Sequence, residues 1–170
     1  MNKALERINQ AGNAEAESMF RDCCGVAKWA NQMAIARPFA SENELMDNAA
    51  VIWNDLQTSD WLEAFSAHPM IGETKAAPAQ QARSVEWSTL EQAGMSSANE
   101  LSKQELTAAN REYYEKFGFI FIVCATGRTA EEMLELCRAR LGNDRETEIA
   151  IAAGEQERIT EIRLRKLLSQ

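Results

Sequence analysis

The sequence predicts an all-α fold, and three observations carry that prediction. The 170-residue chain contains only 8 Gly and 3 Pro, whereas β-sandwiches and barrels need many turns rich in these residues. Helix-capping motifs recur along the chain, each followed by apolar residues at helical spacing. Hydrophobic residues make up 45% and charged residues 26% of the chain, as in globular domains. The length suits one core, so we predict a single domain over residues 1–170.

The chain up to residue 118 contains one capping box and two glycine stop signals. Ser41 and Glu44 form the box, in which each side chain satisfies a backbone amide of the first turn. This motif predicts a helix from about Glu42 to Gln57. Gly94 and Gly118 predict the ends of two further helices. The second of these places four residues on one face: Leu106, Asn110, Tyr113 and Phe117.

Two helices are predicted after residue 128. Thr129 and Glu132 form a second capping box, and the apolar residues that follow keep helical spacing. Gly142 occupies the position of a left-handed C-terminal cap. Asn143, with Glu146 three residues later, predicts the start of a last helix that runs to the C-terminus.

One segment interrupts the helical pattern. Phe119–Val123 is a run of five apolar residues, mostly of types that favour β-strands. It could form a short strand, but no second such run is present to pair with it. We therefore favour an extended segment packed between helices, whose amides are available to a ligand. Residues 73–83, rich in Ala and Gln around Pro78, are typical of a surface loop.

The charge and cysteine patterns exclude several classes of function. The chain carries 18 Lys and Arg against 26 Asp and Glu, a net charge of −8, which argues against nucleic-acid binding. No apolar run is long enough to span a membrane, and no leader precedes the first helix, so we expect a cytoplasmic protein. The cysteines show no Cys-x-x-Cys spacing and the chain has one histidine. We therefore expect reduced thiols and no metal site.

His68 is the first candidate for chemistry. Pro69 follows it and ends the preceding helix, which places an imidazole at a helix C-terminus. The helix dipole favours the protonated form there, and an imidazole suits proton transfer. A purely structural histidine bonded to the last carbonyls is the alternative, and the residues alone leave both open.

Arg163 and a polar cluster near Gly94 are further candidates. Arg163 falls in the apolar stripe of the last helix, where a guanidinium needs an anion. That anion could be a structural carboxylate or a bound substrate. Ser88 lies one helical turn before Glu91 and Gln92, so these side chains could line a pocket wall. A solvent-facing helix end is the alternative.

Several motifs in order along the chain resemble the 2-oxo-4-hydroxy-4-carboxy-5-ureidoimidazoline (OHCU) decarboxylase family. They span nearly the whole sequence, and their order makes coincidence improbable. The matching pieces are Arg37-Pro38-Phe39, Trp53, residues 60–69 with Ile71-Gly72, Trp87-Ser88, Glu91-Gln92-Ala93-Gly94, Asn110, Tyr113, Lys116-Phe117-Gly118-Phe119, Phe121 and Arg163-Leu164.

The resemblance implies an all-helical bundle of about eight to nine helices and a reaction, the decarboxylation of OHCU to (S)-allantoin at the end of urate oxidation. It implies no cofactor and a homodimer. It assigns catalysis to His68 and Glu91. It assigns substrate binding to Pro69, Ser88, Gln92, Phe119, Ile120, Phe121, Ile122, Val123 and Arg163.

The chain departs from the common family pattern at two positions. Met70 stands where bacterial members often have Arg, and Ile120 stands where Pro is common. Two other functions are compatible with a helical domain. One is an interaction module that binds a partner helix in an apolar groove. The other is a different small-molecule enzyme on the same scaffold, because a fold does not fix a reaction.

Overall fold

The computed structural model describes residues 2–71, 82–95 and 98–170. Within these ranges the chain forms nine α-helices and no strand, which confirms the all-α prediction. The helices are α1 (Lys3–Gln10), α2 (Asn13–Cys23), α3 (Ala27–Ile35), α4 (Glu42–Asn54), α5 (Thr58–Ser66), α6 (Ala82–Glu91), α7 (Glu100–Phe117), α8 (Ala130–Arg140) and α9 (Arg145–Leu168). A short 3-10 turn, Ala93–Met95, follows α6. Residues 73–81 of the predicted surface loop lie outside the described ranges, and the prediction is wrong for its last two residues, Ala82 and Arg83, which form the first turn of α6.

Residue contacts group the chain into two compact units, which are described separately. The first contains the residues up to Ala64 together with Glu157–Gln170, and the second contains Phe65–Gln156. A single domain stays a prediction. None of the helices in the described ranges has the length and apolar character needed to cross a membrane.

The first unit is stabilised by aromatic packing and by one arginine that donates several hydrogen bonds. Phe20 packs edge-on against Trp29 and Phe39, with ring centroids 6.1 and 6.4 Å apart. Arg37 donates hydrogen bonds to the carbonyls of Ile8, Ala11 and Ala34 at 2.6–2.8 Å. Because the last carbonyls of a helix have no partner within it, this side chain satisfies the ends of α1 and α3. The Arg37-Pro38-Phe39 motif is therefore structural in this unit.

The second unit encloses a cluster of aromatic rings on α7 and the segment after it. Tyr113 lies 4.6 Å from Phe117, 5.8 Å from Phe119 and 5.3 Å from Phe121, measured between ring centroids. All four are buried. Phe119–Val123 forms neither helix nor strand, so the prediction of a non-helical segment is confirmed. The rings bury large apolar areas and hold this segment against α7.

The capping motifs behave as local chemistry predicts, with one exception. Thr129 and Glu132 make both bonds of the capping box that begins α8. At α4, Ser41 accepts the Glu44 amide, but the Glu44 carboxylate bonds the Ala40 amide instead of that of Ser41. The box is thus only half formed. The helix also ends at Asn54, three residues before the predicted Gln57.

The glycine signals divide into one confirmed prediction and two corrections. Gly118 ends α7 in the left-handed conformation with φ of 76°, as predicted. Gly142 does not adopt that conformation, because α8 ends through Leu141 in a right-handed turn and the Gly142 amide bonds the Ala139 carbonyl at 3.3 Å. The helix predicted to end near Ala93, before Gly94, ends at Glu91.

The last helix begins one residue later than expected. Asp144, not Asn143, accepts the Thr147 amide at 2.8 Å.

Candidate active site

His68 lies two residues beyond the end of α5, and a buried amide holds its ring. Nε2 of the half-buried imidazole is 2.6 Å from Oε1 of Gln156, which is fully buried on α9. An amide oxygen only accepts hydrogen bonds, so this contact assigns a proton to Nε2. The bond to Gln156 therefore favours the tautomer of the neutral ring that carries its proton on Nε2.

The chain on either side of His68 is fixed to the rest of the second unit. The Asn110 side chain on α7 donates to the Ile71 carbonyl at 3.3 Å. Phe65, in the last turn of α5, packs on Phe119 with ring centroids 5.4 Å apart. Pro69 is half-buried within this short stretch. The chain that carries the imidazole is therefore held on both sides of His68, by the Phe119 ring on one side and by Asn110 on the other.

The Phe119–Val123 segment is buried except at Ile120. Just after it, the Cys124 amide donates to Oε2 of Glu155 at 2.8 Å, and the Cys124 carbonyl accepts from Nε of Arg128 at 3.2 Å. Within the described ranges, no atom accepts a hydrogen bond from the five amides of Phe119–Val123. Buried amides normally have a partner. The use of this segment as a donor surface for a ligand stays a prediction.

The polar cluster predicted on α6 lies at the C-terminal end of that helix. Ser88 is buried, Glu91 is the last helical residue and is half-buried, and Gln92 follows it half-buried. The pKa of the Cys124 thiol is raised mainly by burial and further by the negative charges of Glu155 and Glu91. Glu91 is therefore within electrostatic range of the end of the Phe119–Val123 segment. Of the three side chains, only that of Ser88 is fully buried, and those of Glu91 and Gln92 are partly exposed.

Gly94 explains how the chain after α6 reaches this position. A Cβ on Gly94 would stand 2.1 Å from the Arg128 carbonyl oxygen, much closer than real Cβ atoms approach. Only glycine permits this close approach of two backbones. The glycine that predicts a helix stop thus meets a packing requirement, which brings the end of α6 against the chain just before α8.

Arg163 belongs to the first unit. Its side chain is 2% exposed, and Nη1 lies 3.5 Å from the Asp22 carbonyl oxygen. Burial raises the pKa of the neighbouring Cys24 thiol to about 11, and the positive charge of Arg163 partly opposes that rise. The predicted burial of this cation is confirmed. Cys23 and Cys24 are buried, and both thiols are free.

Three residues that hold the site together were not identified from the sequence. Gln156 bonds His68, Glu155 bonds Cys124, and Arg140 donates to the Ile122 carbonyl. Gln156 interrupts the buried stripe of α9 as Arg163 does, so the same pattern could have found it. The partners of Glu155 and Arg140 depend on long-range contacts and leave no local signal.

The described ranges contain no cluster of three or more His, Cys, Asp or Glu side chains able to hold a metal ion.

Comparison with known proteins identifies the family of the chain. Residues 9–165 match the family model of OHCU decarboxylase. The chain is 40% identical over 154 residues to the uric acid degradation bifunctional protein TTL of Arabidopsis thaliana, covering 90% of this chain and 47% of that protein. The chain thus spans about half the length of that relative. An OHCU decarboxylase of Haloferax volcanii is 26% identical over 170 residues, covering 97% of this chain and 96% of the relative.

A solved structure agrees with these matches. A crystal structure of OHCU decarboxylase in the presence of (S)-allantoin superposes with a TM-score of 0.78 at 38% sequence identity. The match covers 94% of this chain and 100% of that one.

Proposed function

Because the chain belongs to the OHCU decarboxylase family, we propose that it decarboxylates OHCU to (S)-allantoin, the last step of urate oxidation. The observation that carries the proposal is the imidazole of His68, held 2.6 Å from Gln156, in the same unit as a buried segment whose amides lack acceptors within the described ranges. A proton donor and a preorganised donor surface are what this reaction requires.

The substrate supplies its own electron sink. The bond between C4 and its carboxylate breaks, carbon dioxide leaves, and the electron pair passes into the adjacent C5=N unit of the ring. The 4-hydroxyl loses its proton and becomes the C4 carbonyl, while the ring nitrogen and C5 each gain one. The net change is uptake of one proton. The protein then has to bind the ring, orient the carboxylate and deliver a proton to one face of C5.

We assign the proton transfer to His68. The bond between Nε2 and Gln156 holds the imidazole in place for that transfer. Glu91 acts at the 4-hydroxyl and C4 side of the substrate, where a carboxylate orients the hydroxyl and disfavours the ground-state carboxylate through like charge. Delivery from one face explains a single enantiomer, since the uncatalysed decay gives racemic allantoin.

Substrate binding is assigned to the other residues of the family pattern. The amides of Phe119–Val123 donate to the ring and ureido oxygens, in a geometry set before the substrate arrives. Arg163 binds an anionic or carbonyl group. Pro69, Ser88 and Gln92 complete the binding surface. Met70 and Ile120 replace the Arg and Pro common in the family, and they affect the fine positioning of the substrate more than its turnover.

The test generates OHCU in solution from urate with urate oxidase and 5-hydroxyisourate hydrolase, and follows ultraviolet absorbance and circular dichroism. We expect the protein to accelerate loss of OHCU and to give an (S)-allantoin signal. We expect His68→Asn and Glu91→Gln to lower kcat by about 100-fold or more, while Glu86→Gln, a control on the same helix as Glu91, stays at the wild-type rate. Unchanged decay to optically inactive product would contradict the proposal.

We further propose that the protein is a cytoplasmic homodimer, as the family resemblance implies. Sedimentation equilibrium of the purified chain tests the dimer, and a monomer mass at micromolar concentration would contradict it. Fractionation of the source cells tests the location.

A further inference from the structure

The second unit contains a buried ion pair that the proposed reaction does not use. Arg140 and Glu148 are 8% and 0% exposed. Nε and Nη2 of Arg140 both contact Oε1 of Glu148, which also accepts the Tyr113 hydroxyl at 2.6 Å. Asn143 donates to the other carboxylate oxygen at 2.9 Å. Both charges are paired and hydrogen-bonded, which a buried ion pair requires.

Besides Glu148 and the Tyr113 hydroxyl, which accepts from Nη2 at 3.3 Å, Arg140 also contacts the candidate substrate-binding segment. Nη1 donates to the Ile122 carbonyl at 2.7 Å, and the guanidinium lies over the Phe121 ring, 4.7 Å from its centroid. The planar guanidinium can bond Glu148 and a carbonyl at once, which a lysine ammonium on a flexible stem cannot reproduce. Arg140 therefore connects the ion pair to two consecutive residues of the segment.

The bond to Ile122 fixes the direction of the next amide. The peptide bond between residues 122 and 123 is trans, so its N–H points opposite to its carbonyl. With the Ile122 carbonyl held by Arg140, the Val123 N–H points away from Arg140. Glu155 holds the following peptide plane through the Cys124 amide. Both peptide planes flanking Val123 are thus held, and the Val123 N–H has no acceptor within the described part of the chain.

We propose that Arg140 is a positioning residue for substrate binding, which aims the Val123 amide at the substrate through the Ile122 carbonyl. Glu148 supports it by fixing the guanidinium. This inference rests on the proposed function, because the ligand that accepts the amide is the substrate or its product. Arg140 itself does not touch the reacting atoms.

Two variants of the same buried cluster separate positioning from stability. Arg140→Lys keeps a positive charge beside Glu148 but loses the fork that reaches Ile122. Tyr113→Phe removes a hydrogen bond to the same carboxylate and the 3.3 Å bond from Nη2 of Arg140, but it leaves the Nη1 bond to the Ile122 carbonyl unchanged. Both variants should melt at lower temperature. Only Arg140→Lys should raise KM for OHCU and Kd for (S)-allantoin, by about tenfold, with kcat changed less.

The wild-type protein gives an independent test that needs no variant to fold. Saturating (S)-allantoin should slow hydrogen exchange of the Val123 amide by about tenfold or more. A folded Arg140→Lys variant with Kd within twofold of wild type, or a Val123 amide that allantoin does not protect, would overturn the proposal. A wild-type protein that neither converts OHCU nor binds (S)-allantoin would instead overturn the proposed function, and this inference with it.

Discussion

Glu155 and Gln156 are consecutive residues on α9 that hold different parts of the candidate site: Glu155 accepts the Cys124 amide at 2.8 Å, and Gln156 meets the His68 imidazole at 2.6 Å. One rigid helix thereby sets the position of the imidazole relative to the end of the Phe119–Val123 segment. Catalytic groups must be held to within a fraction of an ångström, and support from a helix is more precise than support from loops.

Gln156 should therefore control the tautomer of His68 as well as its place. Gln156→Leu leaves the Nε2 proton without its acceptor, and we expect a loss of about 1–3 kcal/mol in the free energy of unfolding and a large fall in kcat. Gln156→Glu places a carboxylate beside the ring and favours the imidazolium. Its pH–rate profile should move to higher pH, as measured by OHCU loss between about pH 5 and 9. Superimposable profiles for wild type and Gln156→Glu would contradict this role.

Two glycines provide a matched pair for backbone packing. Gly94→Ala places a Cβ against the Arg128 carbonyl, and we expect a loss of about 1–3 kcal/mol from overpacking together with lower activity, because the end of α6 that carries Glu91 must move. Gly154 lies in α9, where an added Cβ would meet nothing within 4 Å. Gly154→Ala should stabilise by about 0.5–1 kcal/mol. Urea unfolding measures both, and equal effects of the two substitutions would be inconsistent with this explanation.

The helices could be predicted from local sequence signals, whereas the tertiary contacts between residues far apart in the chain could not. The capping box at Thr129 needs only residues three positions apart, and it forms in full. Gly94 resembles a helix stop in the sequence, because its true constraint, the Arg128 carbonyl, lies far along the chain. His68 could be found through the local effect of Pro69, but its partner Gln156 is 88 positions away. Long-range partners of this kind are set by tertiary packing, which periodicity does not encode.

Because Cys24 is buried, we expect the free energy of unfolding to fall at alkaline pH. Burial raises its pKa from 9.0 to about 11, so between these values the unfolded chain loses the thiol proton while the folded chain keeps it. The contribution is fully present below about pH 9 and is lost as the pH rises toward 11, by at most about 1.4 kcal/mol per pH unit. Urea unfolding at about pH 8, 9 and 10 should give a flatter pH dependence for Cys24→Ala. Ile8→Val, a core change without a titrating group, should keep the wild-type slope, and an unchanged slope in Cys24→Ala would refute the assignment.

Substitution of Arg163 distinguishes two roles that are compatible with its burial, substrate binding and structural support. If it binds substrate, as the family pattern implies, Arg163→Lys retains the charge but loses the two-pronged geometry. KM for OHCU should then rise about tenfold, and the melting temperature should change little. A structural role through the Asp22 carbonyl predicts the reverse, a lower melting temperature with KM unchanged. Arg165→Lys is the control on the same helix, because Arg165 pairs with Glu161 at the surface, where ion pairs contribute about 0–1 kcal/mol. The KM for OHCU and the melting temperature of Arg165→Lys should both match those of the wild-type protein.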